Sequence, residues 1–267
     1  MALYGDYHTH TVYSHGKGTV RDNVEAAVAA GLKAVAVTDH GFRHMLYSVH
    51  RGEYRDQKRD VEEMRLAHPE IEILQGLETN LQGHDGRIDI KDSDVENLDV
   101  IIMGYHRMVV APGPVSFFDF WLPSMLNSGR DRVSVRRRVR NTDAFIHAIN
   151  RYPIDIISHP KYKIDVDVVA IAKEAARLGT LMELNGKKIS MTDEEIKAVL
   201  DTGVGLIADS DAHSPDRVGE ISVPMTVIER IGIPSDRIVN FDRKPVFRSA
   251  LFNAARKAET AASRTSE

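Results

Sequence analysis

The sequence predicts an α/β fold, a distorted (β/α)7 barrel related to the TIM type, on three observations. Seven short runs rich in Val, Ile, Leu and Ala alternate with helical patterns along the chain. These runs lack polar alternation, which is typical of parallel strands that are buried on both faces. Clusters of histidine and acidic residues follow directly on most of the runs. An open doubly wound sheet is the alternative, but it would spread these clusters along an edge.

The predicted strands are short, and each leads into a loop or a helix. Repeated alternation of strand and helix implies parallel strands joined by right-handed crossovers. Barrels of this kind carry their active sites at the C-terminal ends of the strands. The predicted strands are Leu3–Tyr7, Ala34–Thr38, Glu72–Leu77, Val100–Gly104, Asp155–Ser158, Thr180–Leu184 and Gly205–Ala208.

Helical patterns fill the intervals between the strands. Thr192 and Glu195 fit a capping box at the start of one helix. Gly31, Gly179 and Gly203 fit helix stops. The predicted helices are Val20–Ala30, Glu53–Ala67, Thr142–Asn150, Val166–Leu178, Asp193–Asp201 and Pro245–Lys257.

We interpret residues 1–259 as one domain, interrupted by an insertion at residues 107–140. The insertion contains the aromatic run Phe117–Trp121 and three consecutive arginines, Arg136–Arg138. An aromatic run in a connection suggests a lid over the site or an interface, and packing as a plug on the barrel stays equally open. Residues 260–267 are small and polar, which predicts a disordered tail.

Composition excludes several kinds of protein. The formal charge of −4 argues against a general nucleic-acid-binding surface, and the absence of cysteine excludes thiolate ligands and disulfides. The N-terminus does not resemble a signal peptide, and no apolar run is long enough to span a bilayer. We therefore expect a cytoplasmic protein without membrane or nucleic-acid partners, and an assembly of identical chains remains open.

Seven histidines, one glutamate and one aspartate fall where strand ends would bring them together. His8 and His10 are two apart on a strand, so their side chains point the same way. Divalent metal is the usual reason to gather imidazole and carboxylate groups, here with nitrogen and oxygen donors only. The candidate ligands are His8, His10, His15, His40, Glu78, His106, His159, Asp211 and His213.

The remaining histidines are not assigned as ligands. His68 precedes a proline at a predicted helix end, and His147 lies within a predicted helix. His84 is likewise not assigned as a ligand. His44 and His50 lie in the loop after the second strand, where contact with a substrate is possible.

Ordered motifs run along the chain from residue 6 to residue 213. They are Asp6-Tyr7-His8-Thr9-His10-Thr11 with His15, Val37-Thr38-Asp39-His40-Gly41, Gly76-Leu77-Glu78, His106, Ile157-Ser158-His159-Pro160 and Asp209-Ser210-Asp211-Ala212-His213. Taken together they resemble the PHP family, named for polymerase and histidinol phosphatase, far more specifically than any single motif would. The resemblance implies a distorted seven-stranded barrel with two or three metal ions, and phosphate-ester hydrolysis in most stand-alone members.

The resemblance also implies a division of the ligands among three ions. Zn, Mn and Fe are all compatible with the donor set. Asp39 is expected beside the ligands, orienting an imidazole. The implied sets are His8, His10, Glu78 and Asp211 for one ion, Glu78, His106 and His159 for a second, and His15, His40 and His213 for a third.

The expected reaction is hydrolysis of a small phosphate monoester, as in histidinol phosphatases, by water that the metal activates. A basic side chain at the rim would complete the phosphate site. Arg43 and Lys187 are best placed for this role, because they directly follow the second and sixth strands. Further candidates are Lys17, Arg107 and Lys161.

Three other functions compete with this one. A metal-dependent amidohydrolase usually carries a bridging lysine at the end of strand four, where this chain has His106. A non-catalytic metal-binding module should have lost ligands, and none is missing. An exonuclease interpretation rests on Arg136–Arg138 alone, a run that is more typical of a solvated surface. The segment after His106 departs from the compact family pattern, so the substrate is not determined.

Overall fold

The computed structural model describes residues 1–123 and 134–264. Its strands are β1 Gly5–Thr9, β2 Ala34–Val37, β3 Glu72–Asn80, β4 Val100–Gly104, β5 Ile156–Ile157, β6 Leu181–Asn185 and β7 Leu206–Asp209. They form one sheet in the order β1 to β7, and every neighbouring pair is parallel. The predicted α/β barrel of seven strands is therefore confirmed.

Backbone contacts bring the first and last strands together. Past the end of β7, Ala212 forms a parallel bridge with Thr9 and accepts a hydrogen bond from the His10 amide at 2.8 Å. The Asn240 side-chain amide also joins these two strands, because it donates to the carbonyls of Gly5 on β1 and Ala208 on β7. The sheet is thus a nearly closed barrel rather than an open doubly wound sheet.

The helices cover the outside of the sheet. They are α1 Val20–Ala29, α2 Glu53–Ala67, α3 Asp92–Val95, α4 Val135–Arg151, α5 Val168–Leu178, α6 Asp193–Asp201, α7 Ser222–Ile231 and α8 Arg248–Arg264. Short helical segments are Pro114–Ser116, Phe117–Trp121, Pro215–Arg217 and Ser235–Arg237. None of the helices in the described ranges is both long enough and apolar enough to cross a bilayer.

The helix stops and caps follow the local sequence. The Thr192 hydroxyl and the Glu195 carboxylate form the predicted capping box of α6. Gly179, at the end of α5, has a φ of 81°, a left-handed conformation that glycine adopts without steric cost.

Several boundaries differ from the sequence-based expectations. Helix α4 begins at Val135 rather than at Thr142, so Arg136–Arg138 lie in its first turn. Helix α8 continues to Arg264, into the segment that was expected to be disordered. Helix α7 was not predicted, since Pro224 lies within it, but proline is tolerated in a first helical turn. The insertion is partly described, and residues 124–133 lie outside the described residues.

Apolar side chains divide between the barrel interior and the layers beneath the helices. On β2, Ala34 and Ala36 face one cluster, while Val35 and Val37 pack with α1 and α2 in another. In the interior, the Tyr7 and Phe247 rings meet edge to face, with centroids 5.0 Å apart. This packing leaves the C-terminal mouth to polar side chains.

Candidate metal centre

Strand ends bring all nine candidate ligands to the C-terminal mouth. His8 lies on β1 and Glu78 on β3, and the others follow strand ends within a few residues. Six of the nine side chains are buried, His106 and His213 are half-buried, and His15 is exposed. Such burial is costly unless each group finds a partner.

Glu78 lies at the centre of the group. Its two carboxylate oxygens face different imidazoles, which is the arrangement that a bridging carboxylate needs. The Oε2 atom is 2.9 Å from His40 Nδ1, 3.4 Å from His8 Nε2 and 3.6 Å from His10 Nε2. The Oε1 atom is 2.8 Å from His159 Nε2 and 3.5 Å from His106 Nε2.

Asp211 forms the other anionic side of the centre. Its Oδ1 atom is 3.3 Å from His10 Nε2 and 3.8 Å from His8 Nε2. It is also 3.4 Å from His213 Nδ1. The backbone φ of Asp211 is 52°, a left-handed value that is rare for residues other than glycine.

His15 joins the outer part of the same centre. Its ring lies edge-on to His213, with centroids 4.1 Å apart, and stacks on His40 at 4.9 Å. The expected trio of His15, His40 and His213 is therefore brought together.

Three groups of ligand atoms each fit within 4.8 Å: His10 with His40 and His213, His8 with His10 and Asp211, and His40 with Glu78 and His106. These groups differ from the expected sets in three places. Glu78 is absent from the group of His8, His10 and Asp211. His10 takes the position expected for His15, and His40 takes the position expected for His159. The assignment of each residue to one ion stays a prediction.

The local electrostatics keep several of the imidazoles in the neutral, metal-binding form. Burial and the neighbouring His40 hold the pKa of His10 well below its ordinary value. The same two causes lower the pKa of His15 to about 3, and burial lowers that of His213 to about 4. Neutral imidazole is the form that binds metal.

The two carboxylates stay ionised. Burial alone would raise the pKa of Glu78, but His106, His8 and His40 outweigh it and hold the pKa well below the ordinary value. Burial likewise opposes ionisation of Asp211, and His8 and His10 outweigh it. Against the effect of burial, the carboxylates in turn raise the pKa of His8, through Glu183 and Glu78, and that of His159, through Glu78. The centre therefore presents anionic oxygens among imidazoles whose pKa values are shifted in both directions.

Unsatisfied buried atoms indicate that this donor set fits metal ions. His10 Nδ1, His40 Nδ1 and Glu78 Oε2 have no hydrogen-bond partner among the described residues. His40 Nδ1 and Glu78 Oε2 approach to 2.9 Å without hydrogen-bond geometry. Buried polar atoms without partners are rare, and a cation bound between them would use them.

Two residues that the sequence analysis missed orient the ligands. The Glu183 carboxylate is 2.6 Å from His8 Nδ1 and accepts a hydrogen bond from the His159 amide, also at 2.6 Å. The Asn80 side-chain oxygen is 2.8 Å from His106 Nδ1. Glu183 could have been found as a lone carboxylate in a predicted buried strand, whereas Asn80 gave no signal.

Asp39 does not orient an imidazole as expected. Its buried carboxylate accepts hydrogen bonds from the Thr11 amide and hydroxyl at 2.7 and 2.6 Å. It also accepts from the Ser14 hydroxyl and, at 2.5 Å, from the Gln57 amide. With its oxygens used in this way, Asp39 fixes the loop between His10 and His15.

The expected phosphate-binding residues divide into those inside and those outside the cleft. Lys187 lines it, with Nζ 3.2 Å from Asp211 Oδ1. Arg43 is exposed and is not part of the cleft lining, so its phosphate-binding role stays a prediction. Lys17 and Lys161 do not line it either, and Lys161 pairs with Glu195. The lining also includes Arg107, which was a candidate, and Lys163 and Lys188, which were not.

His44 lines the cleft but is held by the backbone. Its Nδ1 atom accepts hydrogen bonds from the amides of Leu46 and Tyr47 at 3.3 and 3.1 Å. Burial lowers its pKa to about 4, so the ring is neutral. His50 is exposed and lies outside the cleft.

The cleft above the centre has a volume of about 440 Å³, which suits a small molecule. The first residues of the insertion, Arg107 and Met108, lie on its wall. Farther along the insertion, Phe120 is buried and its ring meets Tyr105 edge-on. Phe118 remains 67% exposed, so the aromatic run is only partly packed on the barrel.

The fold and the site define a class: a TIM-like barrel with a metal-binding centre of histidines and carboxylates at its C-terminal mouth. The PHP domain model matches residues 6–162, which is more than half of the sequence. The chain belongs to the PHP domain family. The expectation drawn from the sequence motifs is thereby confirmed.

Curated relatives cover nearly the whole chain. It is 29% identical to a protein of Shewanella sediminis described as a probable phosphatase, over 90% of both chains. It is 30% identical to a probable phosphatase of Edwardsiella ictaluri, over 88% of this chain and 89% of the relative.

Among solved structures, the fold is similar to that of histidinol phosphate phosphatase from Lactococcus lactis, crystallised with zinc, L-histidinol and phosphate. The TM-score is 0.58 at 15% identity, over 88% of this chain and 95% of the other. This likeness establishes the fold.

Proposed function

We propose that this chain is a metal-dependent phosphatase that hydrolyses a small phosphate monoester at the mouth of its barrel. The observation that carries the proposal is the convergence of six imidazoles on Glu78 and Asp211 at one cleft, with His15 packed on two of them. Family membership and relatives described as probable phosphatases support the same reaction class.

The centre would hold two or three divalent ions. Nitrogen and oxygen donors are compatible with Zn, Mn and Fe, and the zinc of the Lactococcus lactis structure supports zinc. Glu78 would bridge two of the ions, because its oxygens face separate imidazoles. His10 and His40 each belong to two groups of ligand atoms, so adjacent ions would compete for them.

The chain's own residues set the conditions for the reaction. Divalent metal, when bound, makes water nucleophilic near neutral pH and offsets the charge of the phosphoryl group. Lys187 places a positive charge beside Asp211 and His213, where the phosphate oxygens would approach. Glu183 holds the His8 ring and the His159 backbone in place, which keeps both ligands aimed at the centre.

The decisive experiment starts from metal-stripped full-length protein that is reloaded with Zn, Mn or Fe. We expect at least two ions per chain by elemental analysis and hydrolysis of simple phosphate monoesters that depends on reloading. A panel of amide substrates run in parallel tests the amidohydrolase alternative. Less than one ion per chain after reloading, or amide hydrolysis without phosphatase activity, would overturn the proposal.

Two matched glutamates on β3 test the role of the centre. Glu78→Gln removes an anionic oxygen from the site, whereas Glu72→Gln changes the start of the same strand, where Glu72 pairs with Lys244. Losing a bridging carboxylate should raise the barrier by several kcal/mol, so we expect kcat/KM to fall at least about a hundredfold for Glu78→Gln. Glu72→Gln should keep both activity and metal content.

A further inference from the structure

We propose that the cleft contains a second anion-binding subsite, formed by Lys163 and Lys188 around the ring of Tyr162. This inference rests on the proposed phosphatase function and narrows its substrate class. The substrate would be a phosphate monoester whose alcohol portion carries its own negative group, either a carboxylate or a second phosphate.

The first support is the charge of the cleft wall. The basic residues that line it are Arg107, Lys163, Lys187 and Lys188. Its acidic lining in the described ranges is Glu78 and Asp211, both of which belong to the candidate metal centre. A cationic alcohol such as histidinol would therefore find no uncommitted carboxylate on this part of the wall, whereas an anionic one would meet surplus positive charge.

The second support is that the lysines divide into two groups. Lys187 Nζ lies 3.2 Å from Asp211 and 2.5 Å from His213 Nδ1, so it belongs to the metal centre. Lys163 and Lys188 form no ion pair within the described ranges, and their Nζ atoms lie 4.5 and 6.0 Å from the centroid of the Tyr162 ring. Two ammonium groups at one ring repel each other, and a bound anion would offset that repulsion.

The third support is the position of Tyr162 between the subsite and the centre. Its ring meets the ring of His159 at 64°, with centroids 5.5 Å apart. His159 lies against Glu78. The subsite is thus one aromatic ring away from the candidate metal ligands, a separation that a single small molecule can span within this cleft.

The backbone of the connecting loop supports a functional role as well. The φ values of His159, Lys161 and Lys163 are 29°, 69° and 59°. All three are left-handed, although none of these residues is a glycine. Such conformations persist where surrounding contacts fix them, and they concentrate at binding sites. Here the Lys161–Glu195 ion pair anchors the loop, while Tyr162 and Lys163 face the cleft.

The test uses metal-loaded full-length protein and alkyl phosphates of three and five carbons. The far end of each ester carries a methyl, ammonium, carboxylate or phosphate group, which keeps the reacting end constant. We expect kcat/KM for the carboxylate or phosphate esters to exceed that of the methyl ester about tenfold, with the ammonium ester lowest. The carboxylate and phosphate arms separate the two possible sources of the anion.

The Lys163→Ala, Lys188→Ala double variant should lower the ratio of kcat/KM between anionic and methyl esters about tenfold, mainly through KM. Lys173→Ala is the matched control, since Lys173 is an exposed lysine on α5, outside the cleft lining. That control should keep the wild-type ratio. The subsite proposal would be overturned if the wild type hydrolysed anionic and methyl esters with equal kcat/KM. It would also be overturned if the double variant kept the wild-type ratio of these two values.

A binding measurement separates failure of the subsite from failure of the proposed function. Calorimetry compares propane-1,3-diylbisphosphonate with propylphosphonate, neither of which can be hydrolysed. If the wild type binds the bisphosphonate more tightly and the double variant loses this difference, the subsite is supported. If every ester nevertheless resists hydrolysis, the proposed function alone fails. Equal binding of the two phosphonates, together with hydrolysis of the methyl ester, would refute the subsite alone.

Discussion

At the residue scale, Glu183 links two of the candidate ligands, His8 and His159. No sequence motif indicated this link. One of its oxygens contacts the His8 ring, and the other accepts hydrogen bonds from the His159 amide and the Asn185 side chain at 2.6 and 2.9 Å. The side chain is fully buried. A carboxylate that fixes an imidazole through its second nitrogen raises the basicity of that ligand and sets its orientation.

We expect Glu183→Gln to lower metal affinity and kcat/KM by about 10- to 100-fold, because the amide cannot accept all of these hydrogen bonds. Metal affinity and activity are measured on the same preparations, together with the melting temperature. Glu183→Asp should recover part of the metal affinity. Glu229→Gln on the exposed surface of α7 serves as the control. An unchanged metal affinity in Glu183→Gln alongside a lowered melting temperature would show that Glu183 is merely structural.

At the element scale, the loops after the strands form the walls of the cleft. The loop after β5 carries His159, Tyr162 and Lys163, and the connection after β4 starts at the cleft wall with Arg107. The aromatic run of that connection is anchored by Phe120, while Phe117 stacks on Trp121 with centroids 5.0 Å apart. We keep the hypothesis that this connection limits the size of the leaving group.

Replacing Pro112–Phe118 by Gly-Ser-Gly leaves Val109, Val110 and the buried Phe120 in place. If the segment restricts the mouth, selectivity between small and bulky phosphate esters should shift by about tenfold while metal content stays constant. Steady-state kinetics on a graded series of esters measures the shift. Phe252→Ser, an exposed phenylalanine on α8, is the control for losing surface aromatic area. Unchanged selectivity with a change in oligomeric state would mark the segment as an interface.

At the scale of the whole molecule, the two ends of the barrel carry buried charges for different reasons. The mouth gathers carboxylates with imidazoles that keep them ionised. Away from the mouth, Asp155 accepts hydrogen bonds from the Ile101 amide and the Ser249 hydroxyl, at 2.7 and 2.6 Å, at the junction of β4, β5 and α8. Burial outweighs these hydrogen bonds and raises the pKa of Asp155 to about 7.

Asp155 should make the fold less stable as pH rises. Its pKa in the folded chain, about 7, lies above the ordinary value of 3.8, so the folded state binds more protons between these two values. The free energy of unfolding therefore falls as pH rises from about 4 to about 7, by up to a few kcal/mol from this group. Asp155→Asn should flatten this part of the pH profile, whatever its effect on stability at one pH.

Thermal unfolding of the wild type and of Asp155→Asn between pH 4 and pH 8 measures this effect. The quantity compared is the slope of stability against pH. Asp201→Asn, which changes an exposed aspartate at the end of α6, should reproduce the wild-type slope. If Asp155→Asn also kept that slope, the assigned titration of Asp155 would be wrong.

The parallel barrel and the residue types at its mouth could be predicted from local sequence patterns. Buried strands leave a pattern of continuous apolar residues, and ligands at strand ends, such as His8 and His106, leave spaced motifs in one dimension. These local signals also placed the capping box at Thr192. Metal binding could also be predicted from the residue types, because so many nitrogen and oxygen donors at one site serve few other purposes.

Which side chains meet could not be predicted in this way, because it depends on the folded chain. Glu183 and His8 are 175 residues apart, and their contact depends on strand register rather than on any local pattern. Arg43 and Lys163 both follow strand ends, yet one is turned to solvent and the other lines the cleft, because the conformation of each loop sets the direction of its side chains. Strand order fixes where a residue lies, but loop dihedrals and packing fix where its side chain points.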